Sequence, residues 1–136
     1  MYNKLNNMFV FEFIEPKENE KIAKLTVHKS GKLGLSKGAM DLLDAENNKY
    51  CKFAHNNNED TKEDKDLYMF LFKENDRNSF TISKAGDYYY IKAKSLLIDL
   101  NIDYEDISKT VIFDIYPMEY EGRTIYKLKK RIIKKK

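Results

Sequence analysis

Phe9, Phe11 and Phe13 alternate with Val10, Glu12 and Ile14, and this period of two predicts a strand over residues 9–14 with an aromatic face. The polar run 15–20, built around Pro16, predicts a turn. Ile22, Leu25 and Val27 make residues 22–29 a second strand. Lys29-Ser30-Gly31-Lys32 then forms a hairpin turn in which Gly31 takes positive φ, and Leu33 and Leu35 carry a short third strand. Ser36 suits the N-cap of a helix ending near Leu43, with Ala39, Met40 and Leu43 toward the core. Residues 50–55 alternate again as a strand, Cys51, Phe53 and His55 on one face and Tyr50, Lys52 and Ala54 on the other. Residues 56–66 contain no apolar side chain and read as a solvated loop. Beyond it the pattern predicts strands at 67–73, 79–84 and 88–92, with a turn at Ala85-Gly86-Asp87. A helix follows over about 93–100, then the connector 101–106, and strands 110–116 and 123–129 around a turn at Glu121-Gly122.

Part of this pattern occurs twice. Residues 25–37 align without gaps on residues 80–92: Thr26/Thr81, Lys29/Lys84, Gly31/Gly86 and Lys37/Lys92 are identical. Leu25/Phe80, Val27/Ile82, Leu33/Tyr88 and Leu35/Tyr90 exchange one apolar residue for another, and Leu42/Leu97 and Leu43/Ile98 extend the match. The expected fold is α+β and β-rich. Two pseudo-symmetric ββαββ repeats, about 9–73 and 79–130, would share one core in a single compact domain 1–136, followed by a basic tail at 131–136. Function is then expected where the halves meet or on the surface they share.

At 42% hydrophobic residues the chain has enough apolar material for a core despite 35% charged residues. No apolar run approaches the roughly 18 residues of a membrane helix, so no membrane is expected as a partner. The lone Cys51 excludes an internal disulfide and suits a reducing compartment. With an Asn- and Lys-rich composition of the kind A/T-rich genomes encode, it points to a cytoplasmic protein of bacterial or phage origin, a virion component being the other setting. Charge is polarised. Seven of the 25 basic residues lie in 127–136 with no acid among them, leaving 18 basic against 22 acidic residues in the rest. Such asymmetry marks a segment that meets phosphates or another anionic surface.

The spacing Val27, Lys29, Gly31, Lys32, Leu33, Leu35, Lys37, followed by a short helix, resembles the swapped-hairpin DNA-binding domain of AbrB-type transition-state regulators and MazE-type antitoxins. Ile82, Lys84, Gly86, Tyr88, Tyr90 and Lys92 fit the same pattern in the second copy. The resemblance implies interleaved hairpins, here a fused dimer covering nearly residues 22–130, and DNA as the ligand. The chain departs from that pattern where Ser36 and Ile91 stand at the usual proline. Gly38 and Ala39 occupy the region of the usual arginines, and Asp87 stands at a position usually basic or polar.

The candidate chemistry is phosphate contact. Lys29, Lys32 and Lys37, with His28, cluster in the first copy, and Lys84, Lys92 and Lys94 in the second; a pseudo-symmetric molecule would bring them to one face. Tyr88, Tyr89 or Tyr90 would stack on a base or sugar. The same lysines also suit solvated strand edges. Lys129, Lys130 and Arg131 in the tail would add affinity without sequence readout, or end a strand as a solubilising terminus. Cys51 and His55 are too far apart along a strand for easy chelation, and no calcium loop or phosphate-binding glycine loop is present. The expectation is therefore a non-enzymatic nucleic-acid-binding protein with no metal and no cofactor. The alternative is a protein-interaction or structural component, such as a virion part or an antitoxin-like inhibitor, docking through its aromatic strands and tail.

Overall fold

A computed structural model describes residues 8–14, 22–58, 60 and 64–135. Eight strands and two short helices follow one another as β1 (Lys24–Val27), β2 (Lys32–Leu35), α1 (Lys37–Leu42), β3 (Tyr50–His55), β4 (Leu67–Phe72), β5 (Phe80–Ala85), β6 (Tyr88–Lys92), α2 (Lys94–Asp99), β7 (Lys109–Tyr120) and β8 (Arg123–Lys134). All pairings are antiparallel and close a barrel in the order β1-β2-β6-β5-β3-β4-β8-β7. Closure satisfies most backbone donors and acceptors by sheet partners. The hairpins alternate by chain half around the ring. The β1–β2 hairpin lies between β7 and β6, and the β3–β4 hairpin between β5 and β8.

Alternation along each strand sends one face inward. Leu25, Leu33, Ile91, Met69 and Leu128 are fully enclosed, joined from the helical segments by Ala39, Leu43 and Leu97. Cys51 belongs to this core, and burial pushes its thiol up to about 12, so it is a packing residue. Ser36 caps α1 as expected: its hydroxyl accepts from the backbone N–H of Ala39 (3.1 Å) and of Lys24 (3.0 Å) and donates to the carbonyl of Ile22 (2.8 Å). A serine at this position ties the helix start to the first strand, a link that a proline, lacking the hydroxyl, could not supply.

Three expectations change, and a fourth lies outside the described residues. Residues 8–14 form no strand; they are irregular and exposed. The turn expected at 15–20 lies outside the described residues. The expected tail is strand as far as Lys134, pairing Ile112↔Arg131, Val111↔Ile132 and Thr110↔Ile133. The gapless alignment fails at the turns. The first hairpin turns through Lys29-Ser30-Gly31, with Gly31 at φ 83°, whereas the second uses only Gly86-Asp87, with Gly86 at φ 62°. The gapless match would set Phe80 opposite Tyr90, as Leu25 is opposite Leu35; Tyr90 lies opposite Ser83 instead. Because a slip by an odd number of residues, here three, inverts the faces of a strand, Tyr89 and Ile91 point into the core and Tyr88 and Tyr90 point out.

Candidate nucleic-acid interface

The inversion of β6 builds a site on the outside of the β2–β6 seam. Lys32 and Lys92 are directly opposite in the ladder, and Gly34 is opposite Tyr90. Lys94, the first residue of α2, lays its aliphatic chain across Gly31. Lys32, Lys92 and Lys94, with Ser30, Gly31 and Ser95, line a groove of about 480 Å³ that holds no acidic side chain. None of the three lysines forms an ion pair among the described residues. Like charges facing each other across a ladder destabilise it. Part of that cost is offset by the Lys32 ammonium resting 4.6 Å from the centroid of the Tyr90 ring.

Beside the lysines lies an aromatic platform. The rings of Tyr88 and Tyr90 stack with centroids 5.9 Å apart and planes 18° from parallel. The Tyr88 hydroxyl and His28 Nε2 are hydrogen-bonded at 3.0 Å, joining the first hairpin to the second. Burial, and then Tyr90 beside it, raise the Tyr88 phenol above its ordinary value, so it stays neutral in the physiological range. Tyr88 remains 39% exposed, enough to present its ring to a ligand. Gly34 lies under this pair: a Cβ there would sit 2.5 Å from both His28 Nε2 and the Tyr88 hydroxyl. Gly34→Ala is therefore expected to push two side-chain tips aside while leaving the barrel folded. Thermal unfolding should shift by no more than about 1 kcal/mol, while the His28–Tyr88 hydrogen bond, followed through the imidazole NMR signals, is lost.

Not every lysine expected here arrives. Lys29 is exposed in the turn next to the groove, and Lys37 opens α1 away from it. Lys84 lies 5.7 Å from the Tyr89 ring, in a different groove shared with Asp41, Asp44, Glu46 and Asp87. The second hairpin turn thus faces acids where the first faces lysines. Lys129, Lys130 and Arg131 lie on β8, and Arg131 is committed to Asp114 through Nε (2.9 Å) and Nη2 (3.1 Å), the carboxylate raising its guanidinium further. The expected single basic face is therefore a local cluster of Lys32, Lys92 and Lys94, with Lys29 lining a different groove beside Asp106 and Lys109. Gly34, Ser30 and Ser95 were not singled out from the sequence. A glycine inside a strand pattern was the available signal for the first.

A second, apolar groove of about 490 Å³ lies on the outer face of β3, β4, β7 and β8, lined by Ala54, Tyr68, Phe70, Met118, Tyr120 and Ile125 together with residues 55–58. Phe70 and Tyr120 meet edge to face at 6.2 Å, and the Arg123 guanidinium lies over both Phe70 and Phe72. At its rim the Tyr68 hydroxyl donates to Asp64. With the Asn56 amide (3.0 Å) and the Asp66 N–H, it holds that carboxyl down to about 2. Among the described residues no group of three or more His, Cys, Asp or Glu side chains gathers as a metal site, and no helix is long and apolar enough to cross a membrane. No family model matches the sequence, and neither a curated protein nor a solved structure matches it.

Proposed function

We propose that the barrel is a non-enzymatic protein that binds single-stranded nucleic acid on the outer face of the β2–β6 seam. The observation that carries this reading is the Lys32–Lys92 pair, like charges held opposite each other without an acid, beside the stack of exposed Tyr88 on half-buried Tyr90. Lysines tracking a backbone next to aromatic faces that receive bases are how proteins hold single strands without reading sequence. Lys32, Lys92 and Lys94 contact phosphates, Tyr88 and Tyr90 stack on bases, and His28 fixes the Tyr88 ring.

The chain is two ββαββ repeats joined like a fused swapped-hairpin dimer of the AbrB/MazE type. In support, exchanging β1–β4 with β5–β8 leaves every neighbouring pair of the ring in place. Such a dimer grips duplex DNA with both hairpins alike, but here the second hairpin turn faces Asp41, Asp44 and Glu46. That asymmetry favours one strand held at one hairpin over a symmetric grip on a duplex. The apolar groove at Phe70 and Tyr120 favours a second reading, docking of a protein partner.

Fluorescence anisotropy over a salt series tests the first reading, using a labelled oligonucleotide of about 12 residues, within the roughly 4–16 nucleotides a small barrel spans. Single strands are expected to bind more tightly than duplex, with a log–log salt slope of about −2, that of three lysines on a single strand. Equal or tighter duplex binding would overturn the single-strand assignment, and absence of binding at low salt would leave the docking reading.

A further inference from the structure

We propose that residues Phe9–Ile14 of one copy add as a strand to the open edge Lys129–Lys134 of β8 in a second copy, each chain giving and receiving. The donor segment has a strand's pattern without a strand's partner. Phe9, Phe11 and Phe13 are 56%, 78% and 97% exposed. The rings of Phe9 and Phe11 nevertheless stack 5.8 Å apart and 7° from parallel, so alternate side chains already share one side, as they do along a strand. An apolar surface of this extent on a soluble chain marks an interaction site.

The acceptor is a six-residue stretch of the ring where pairing is one-sided. β4 accompanies β8 only from Tyr126 to Leu128, and from Lys129 to Lys134 the described residues pair β8 with β7 alone. The open stretch is six residues long, as is Phe9–Ile14, so every exposed backbone group can find a partner. Beside it lies a groove of about 390 Å³ floored by Leu100, Ile102 and Phe113, with Lys130 at its rim, a place for a phenylalanine ring. Lys129, Lys130 and Lys134 form no ion pair among the described residues, since Asp114 is taken by Arg131. Cations on an edge repel other basic strands and admit one carrying an acid, here Glu12. Main-chain hydrogen bonds supply affinity and the alternate side chains specificity, as in strand addition generally. In its own chain the segment forms no strand and remains exposed. A second copy satisfies both surfaces at once, and reciprocal exchange closes a two-fold dimer.

Light scattering after size exclusion, together with amide hydrogen exchange, tests this on the full chain and on Phe9→Ser/Phe11→Ser/Phe13→Ser. These three residues are outside the core, so the variant keeps its barrel. The full chain is expected to be a dimer in which those amides of Lys129 to Lys134 that point away from β7 are protected. The triple variant is expected to be a monomer in which that protection is lost. A monomeric full chain, whether or not its edge is protected, overturns the proposal. So does a dimer that survives the triple substitution, and so does one whose edge amides exchange freely. The β2–β6 seam contributes nothing to these readouts, so this proposal and the nucleic-acid reading stand or fall separately.

Discussion

Cut between Lys73 and Glu74, the chain is expected to give two halves that are each unfolded alone and that rebuild the barrel when mixed. The reason lies in the strand order. The first half contains the hairpins β1–β2 and β3–β4, the second β5–β6 and β7–β8. All four seams that join one hairpin to the next, β1–β7, β2–β6, β3–β5 and β4–β8, run between the halves and none runs within one. An isolated half is therefore two unconnected hairpins, and a single hairpin is marginal in water. Its inward residues, Leu25, Leu33 and Met69 in the first half and Ile91, Leu97 and Leu128 in the second, would have no opposite wall. The cut itself is mild, since it falls in a connection whose hydrogen bonds among Asn75, Asp76 and Ser79 stay within one fragment. Among the described residues two ion pairs, Lys52–Asp76 at 2.5 Å and Lys127–Asp66 at 3.4 Å, join the two fragments. Far-UV circular dichroism and amide NMR dispersion of each fragment, and of the equimolar mixture, check the outcome. A cooperative thermal transition from either fragment alone would show that the interleaving does not carry the stability.

Much of this fold was legible along the chain, because local patterns report local structure. The alternation of Cys51 and Phe53 gave β3, Ser36 gave the start of α1, and Gly31 gave the first turn. What was not legible depended on partners distant in sequence. The period-two pattern of Phe9, Phe11 and Phe13 says that a segment suits an edge, not that its own chain offers one. The run Lys127–Lys134 reads as a solvated tail by charge. Its pairing with β7 and the Arg131–Asp114 contact hold it in the sheet. The face of β6 turned on a register slip of three residues, so that Leu33 and Leu35, buried, aligned with Tyr88 and Tyr90, which are not. The site suffered most from this. Each lysine was visible, but which of them meet was decided by β2 pairing with β6. That pairing gathered Lys32, Lys92 and Lys94 and left Lys37 and Lys84 elsewhere.

Substitutions at the seam are expected to separate stacking, charge and stability from one another. Tyr88→Ala and Tyr90→Ala should each cost about 1–3 kcal/mol of single-strand affinity, roughly a 5- to 150-fold weakening, with the salt slope unchanged. Lys32→Ala and Lys92→Ala should each weaken binding and also flatten the slope by about 0.7, one phosphate contact apiece. Lys37→Ala and Lys84→Ala should change neither, because both residues lie outside the groove. The decisive variant is Lys92→Glu. It replaces a like-charge pair opposite Lys32 by an attractive one, so the barrel should gain about 0.2–1 kcal/mol in denaturant unfolding while single-strand binding is lost. Opposite signs in the two measurements are what a site kept at the expense of stability produces. Lysines serving only to solvate the seam would leave the gain in stability and no binding to lose, and a Lys92→Glu barrel that bound single strands as before would place the nucleic-acid contact elsewhere.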